Sequence, residues 1–245
     1  MDEEAYESLL MYKVQLEKDC LFIEQEYYLK FGDALVELLK LKLSCAELKE
    51  KIAYCQKMKN QGLTPDEKEM NGYAKKHCAE AYFDYISATR KKKHAEICRD
   101  SPLLSPEAVD KLKFLFRSLM KMVHPDMHPE RVDDPLASSI YGYALTAYKE
   151  NNLPRMVELF DLARLHFKEG KIEVDGLEEK IAALKEKIHE IETGNPYLYH
   201  VYLDDPDKGK ELLQDLSKQS EEYESFSVEL ETRLALLLSK KVGEA

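Results

Sequence analysis

Between Tyr27 and Cys55 the apolar residues recur at steps of four and three without a break: Tyr27, Phe31, Ala34, Leu38, Leu41, Cys45, Leu48, Ile52 and Cys55. This 3.5-residue period is the seam of a coiled coil, and it demands a long helix with an apolar partner along most of its length. Leu9, Leu16 and Ile23 carry a weaker stripe upstream, so the first 60 or so residues read as one helix. Gln61-Gly62-Leu63-Thr64-Pro65 then stops it. Thr64 is placed to cap the next helix, with Pro65 at its first position and Glu67 completing a capping box. That helix, 66–98, puts Met70, Ala74, His77, Ala81, Tyr85 and Ala88 on one side. A short loop between two long helices implies an antiparallel hairpin.

The middle of the chain is punctuated by proline. Ser101-Pro102 and Ser105-Pro106 precede a helix over 106–123, and Asp134-Pro135 opens another over 135–150. Asn151-Asn152-Leu153-Pro154 restarts a third over 154–168, whose apolar positions are Met156, Val157, Phe160, Ala163 and Leu165. In the first, Leu112, Leu115, Phe116, Leu119, Met122 and Val123 share one face, while Lys113, Arg117 and Lys121 line the other. Phe114 falls among these cations, where it either packs on the N-terminal hairpin or meets a partner. Pro125 disfavours helical geometry at His124, which ends the helix at Val123. His124 and Asp126 are therefore expected on a loop, pointing outward, with no local partner.

After Glu169-Gly170 the four-three stepping returns in Leu177, Ile181, Leu184, Ile188 and Ile191. An aromatic tip around Asn195-Pro196-Tyr197-Leu198-Tyr199 separates it from a last helix striped by Leu212, Leu216, Tyr223, Phe226, Leu230 and Leu237. The expected layout is all-α: a coiled-coil hairpin over 1–100, a compact helical module over 101–169 and a second antiparallel hairpin, 171–193 against 207–241, within 170–245. No stretch alternates with the period of a half-buried strand.

Charge and chemistry narrow the function. The net charge is −11, and residues 171–245 hold 10 basic against 18 acidic side chains, a poor footprint for nucleic acid. The run Arg90-Lys91-Lys92-Lys93-His94 is read as a solvated helix end. No run of about 18 apolar residues is present to cross a membrane, and the acidic start MDEEAYESLL is unlike a secretory signal. Five cysteines without a CxxC pair suit a reducing cytoplasm. His124, Asp126 and His128 lack a fourth ligand at structural-zinc spacing, and no catalytic constellation or phosphate loop emerges, so neither metal, cofactor nor enzyme is expected.

The stretch 106–168 resembles a J-domain, the module through which co-chaperones engage DnaK-type heat-shock ATPases. Phe116, Arg117 and Leu119 stand at the matching distances before His124-Pro125-Asp126, and Ala147-Tyr148 matches a pair common in the family's third helix. The run AYKENNLPRMVELFDLA is similar to a bacterial subclass with flanking coiled coils. The resemblance covers about a quarter of the chain. The family's first helix with its DYYEVLG-like signature is missing, and the second arm of the N-terminal hairpin is expected to supply its packing. Met122 stands where a lysine is frequent, with Lys121 one place earlier. Gly/Phe-rich linker and zinc repeats are absent.

The resemblance implies a non-enzymatic co-chaperone in which His124, Pro125 and Asp126 engage the ATPase and Lys113, Arg117 and Lys121 dock it. The alternative is a coiled-coil scaffold whose J-like module serves only as structure. The helix around Leu230, Leu234 and Leu237 outruns its expected partner, which points to a homodimer held by that end.

Overall fold

The computed structural model describes residues 2–99, 104–167 and 177–239, and among these every regular element is helical. Helix α1 runs Asp2–Asn60, α2 Glu67–His77, α3 Ala79–Arg99, α4 Pro106–Val123, α5 Pro135–Lys149, α6 Leu153–His166, α7 Leu177–Thr193, α8 His200–Asp204 and α9 Pro206–Ser239. The chain forms two compact units, one of Met1–Ile23 with Ser101–Leu198 and one of Glu24–Asp100 with Tyr199–Ala245. This division departs from the three consecutive segments expected. The cause is α1, whose first six turns and whose remainder bury their apolar faces in different units. The expected stops at Ser101-Pro102 and Glu169-Gly170 lie outside the described residues.

In the second unit the four-three series is the buried stripe: Tyr27, Phe31, Leu38, Cys45, Leu48, Ile52 and Cys55 are all buried. Residues near the loop pair with residues near the loop, as in the contact of Cys55 Sγ with Met70 Sδ at 3.4 Å. Residues far from it pair with residues far from it, as in the ion pair of Lys91 with Glu24 at 2.7 Å. α1 and the α2–α3 arm thus run in opposite directions. The small side chains Ala74, Ala88 and Ala95 on that arm are buried, which lets the helices approach closely.

Two details differ from expectation. The cap of α2 is Asp66, whose carboxylate accepts the Glu69 amide at 2.9 Å, in place of Thr64; a carboxylate next to the first turn has the stronger interaction with the free amides. The arm also breaks at Cys78, and it is Cys78 rather than His77 that is buried. His77 is exposed and stacks on Tyr73 at 4.0 Å.

The two arms expected to form a C-terminal hairpin fall in different units. On α7, Leu184 and Ile188 bury against Tyr6 and Leu16 of α1. On α9, Leu230 with Leu234 and Leu237 covers Cys45, Leu48 and Ile52 in the second unit. The leucines expected to need an outside partner are therefore covered by their own chain. α9 enters this unit through Gly209, where a Cβ would lie 2.7 Å from the Tyr202 carbonyl oxygen of α8.

The core of the first unit is the three-helix set α4, α5 and α6. Leu112, Phe116, Leu119, Met122, Ile140, Ala144, Met156 and Ala163 are almost fully buried there. Helix starts follow the capping pattern: Ser105 accepts the Ala108 amide, Asp134 those of Leu136 and Ala137, and Asn152 that of Arg155. Asn151 sits at φ 55°, a left-handed residue that turns α5 into α6. On α6, Leu159 joins the core and Leu165 is 82% exposed, the reverse of the sequence expectation. The 3.6-residue period that buries Met156 and Ala163 carries Leu165 off that face.

Candidate functional site

α4 and α5 are antiparallel neighbours. Phe116 stacks on Tyr148 with ring centroids 4.2 Å apart, and eight residues later His124 meets Tyr141 edge-on at 5.1 Å. His124-Pro125-Asp126 forms the corner between them. α4 ends where Pro125 ends it, and His124 is the C-cap, its amide donating to the Met120 carbonyl.

Two side chains then close the helix terminus. His128 is buried, its Nε2 bonding the Lys121 carbonyl and its Nδ1 the Glu130 carboxylate, each at 2.8 Å. Arg131 donates to the Met122 carbonyl and lies over the Phe167 ring at 5.1 Å. Cationic or N–H side chains at a helix C-terminus satisfy carbonyls that have no partner in the helix. The His-Pro-Asp corner is in this way rigidly framed.

The corner does not point outward, contrary to expectation. His124 is only 7% exposed. Its Nδ1 accepts the Asp126 amide at 3.1 Å, which assigns the ring proton to Nε2. Burial pushes its pKa down to about 4, against the pull of the Asp126 carboxylate and with help from His128, Lys13 and Lys180. Asp126 is half-buried, and its Oδ2 accepts a 2.5 Å hydrogen bond from the Tyr6 hydroxyl of α1. Tyr6 is itself buried, which together with that bond raises its pKa beyond the ordinary tyrosine range. The physical reason for the correction is a partner supplied from a distant part of the chain.

A cleft of about 280 Å³ lies at the corner, bordered by Leu10, Lys13, Pro125, Tyr141, Lys180 and Lys187. Residues 15–18 of α1 are pinned alongside α5 and the α5–α6 turn by further contacts. Tyr148 donates to Gln15 at 2.8 Å, Glu17 pairs with Lys149 at 2.9 Å, and the buried Lys18 donates to the side-chain Oδ1 of Asn151 at 2.6 Å. Burial lowers the Lys18 pKa, as does nearby Lys113. Met11 and Val14 pack on the three-helix core. The helix packing expected from the second arm of the N-terminal hairpin is thus provided by the start of α1.

On the opposite side of α4, Lys113, Phe114 and Arg117 are exposed and Lys121 is half-buried. Phe114 is 66% exposed, so it does not pack on the remainder of the unit. Lys113 and Arg117 border a second cleft of about 520 Å³ with Ser8, Tyr12 and Gln15 on its other side.

Of the sequence candidates, the structure brings His124, Pro125 and Asp126 together at the corner and sets Lys113 and Arg117 on the open face of the same helix. It adds Tyr6, Tyr141, His128 and Arg131. The last two carry a signal that can be read beforehand, since a histidine and an arginine just past a proline-stopped helix suit its free carbonyls. Comparison with family models, with curated proteins and with solved structures yields no match.

Proposed function

We propose that this chain is a co-chaperone that binds a DnaK-type ATPase and stimulates its ATP hydrolysis through His124, Pro125 and Asp126. The observation that carries the reading is the placement of that tripeptide at the corner of an antiparallel helix pair, beside a helix that buries one face and exposes Lys113, Phe114 and Arg117 on the other. A cationic helix face raises the encounter rate with an acidic partner and orients it. The aromatic ring between the cations adds apolar area where the contact excludes water. A carboxylate in a proline-stiffened loop accepts an arginine at little entropic cost. Lys121 belongs to the same docking face.

A second reading is a helical scaffold in which the J-like module is purely structural. It is favoured by the burial of His124 and by the engagement of Asp126 with Tyr6.

Titration calorimetry against an ATP-loaded DnaK-type chaperone separates the two. The co-chaperone reading expects binding that weakens with salt and is lost in the Lys113→Glu, Arg117→Glu, Lys121→Glu chain. Binding that ignores both salt and the charge reversal contradicts this dock, and equal silence of wild type and Tyr6→Phe favours the scaffold.

A further inference from the structure

We propose that the turns of α1 before Met11 act as an intramolecular latch, with Tyr6 as its catch, holding the His-Pro-Asp corner closed until the ATPase partner displaces them. The inference rests on the co-chaperone reading and adds its regulation.

Three observations meet here. The catch is specific: a buried phenol donates to the one carboxylate of the tripeptide from 120 residues away in the chain. The cover has two layers, because Tyr6, Leu9 and Leu10 of α1 share an apolar cluster with Leu184 and Ile188 of α7. A partner approaching Asp126 therefore meets both helices.

The partner of α1 also changes along its length. From Met11 to Lys18 the helix is tied to α5, the α5–α6 turn and the core through Met11, Val14, Gln15, Glu17 and Lys18. Before Met11, Tyr6 bonds Asp126, and Tyr6, Leu9 and Leu10 pack in the small cluster with α7. Stretches of one helix that pack on different partners open as separate units, because local opening proceeds by contiguous cooperative segments. The turns before Met11 can thus peel away while the three-helix module stays folded.

Displacement has a chemical logic. A guanidinium makes two charge-assisted bonds to a carboxylate where a phenol makes one, so an arginine on the partner outcompetes Tyr6 for Asp126. The latch would then set a threshold: partners that bring an arginine and dock on the Lys113–Arg117 face open the corner, and other surfaces do not. Binding to the closed chain is weakened by the fraction of time the corner is open.

The test uses the full chain and its Tyr6→Phe variant, which keeps the ring and removes only the hydroxyl. Stimulation of a DnaK-type ATPase is titrated with each, and amide exchange over residues 8–12 is followed with and without the ATP-loaded chaperone. The latch predicts half-maximal stimulation at a roughly tenfold lower concentration for Tyr6→Phe, from loss of one hydrogen bond to a charged group. It also predicts faster exchange at 8–12 on adding the chaperone. If both chains stimulate equally, or if those amides stay protected in the complex, the latch is wrong and the co-chaperone reading survives. If neither chain stimulates, the co-chaperone reading itself fails, and the regulation proposed on it falls too.

Discussion

The Tyr6 hydroxyl lies 2.5 Å from Oδ2 of Asp126, 120 residues further along the chain. This one contact changes what substitutions at the corner should do. On an isolated loop Asp126→Asn would leave stability untouched. With Tyr6 donating to it, the substitution removes the charge from a hydrogen bond that is partly shielded from water. We expect Asp126→Asn and Tyr6→Phe each to cost about 1–2 kcal/mol in denaturant unfolding, with an unchanged slope. The double variant should cost less than the two singles added, because both act on the same bond.

The buried His124 makes stability depend on pH. Its folded pKa, about 4, lies below the unfolded value of 6.5, so the unfolded chain takes up the proton first as the solution is acidified. Stability is full above the unfolded pKa and falls through the window between the two. From pH 7 to pH 5 the loss from this residue is about 2 kcal/mol. Unfolding midpoints at the two pH values measure it, and His124→Gln should show a smaller change than wild type.

Neighbouring aromatics on α4 should separate stability from recognition. Phe116 is fully buried and stacked on Tyr148, so Phe116→Ala is expected to cost about 3–5 kcal/mol. Phe114 is two-thirds exposed, so Phe114→Ala should leave melting within about 0.5 kcal/mol of wild type and weaken chaperone binding instead. Circular dichroism and calorimetry on both variants decide this.

The long stripe of α1 could be read from sequence because its period is strict: seven of the nine residues from Tyr27 to Cys55 are buried, with Ala34 and Leu41 half-buried. α4 could be read for a similar reason, its six expected core residues being joined only by Met120. Partner choice could not. The Leu/Ile stripe of α7 suits any apolar helix, and nothing in it distinguishes α9 from the first turns of α1. Tyr6 left no local signal either, since its role comes from a carboxylate that folding brings to it. Leu165 and Leu159 show a finer limit, where a one-turn choice of face is set by the neighbours.

The covered leucines of α9 give a further expectation. Cys20, Cys45, Cys55 and Cys78 are buried, and Cys98 is partly exposed. In the full chain a thiol reagent should therefore react quickly at Cys98 and slowly at the other four. A chain ending at Glu224 loses Leu230, Leu234 and Leu237 from the clusters around Cys45 and Cys55, and both thiols should become fast. Unchanged thiol kinetics would return those leucines to the role of an intermolecular seam, which light scattering would then show as a dimer lost on truncation.

The most direct measurement is single-turnover ATP hydrolysis by a DnaK-type chaperone from the same cell, with wild type, Tyr6→Phe and Tyr6→Phe/Asp126→Asn added in turn. Wild type is expected to accelerate hydrolysis, Tyr6→Phe to accelerate it more at low concentration, and the double variant not at all. Acceleration that persists without the Asp126 carboxylate, or that is missing from both chains that retain it, would contradict a role for the His-Pro-Asp corner in stimulating the ATPase.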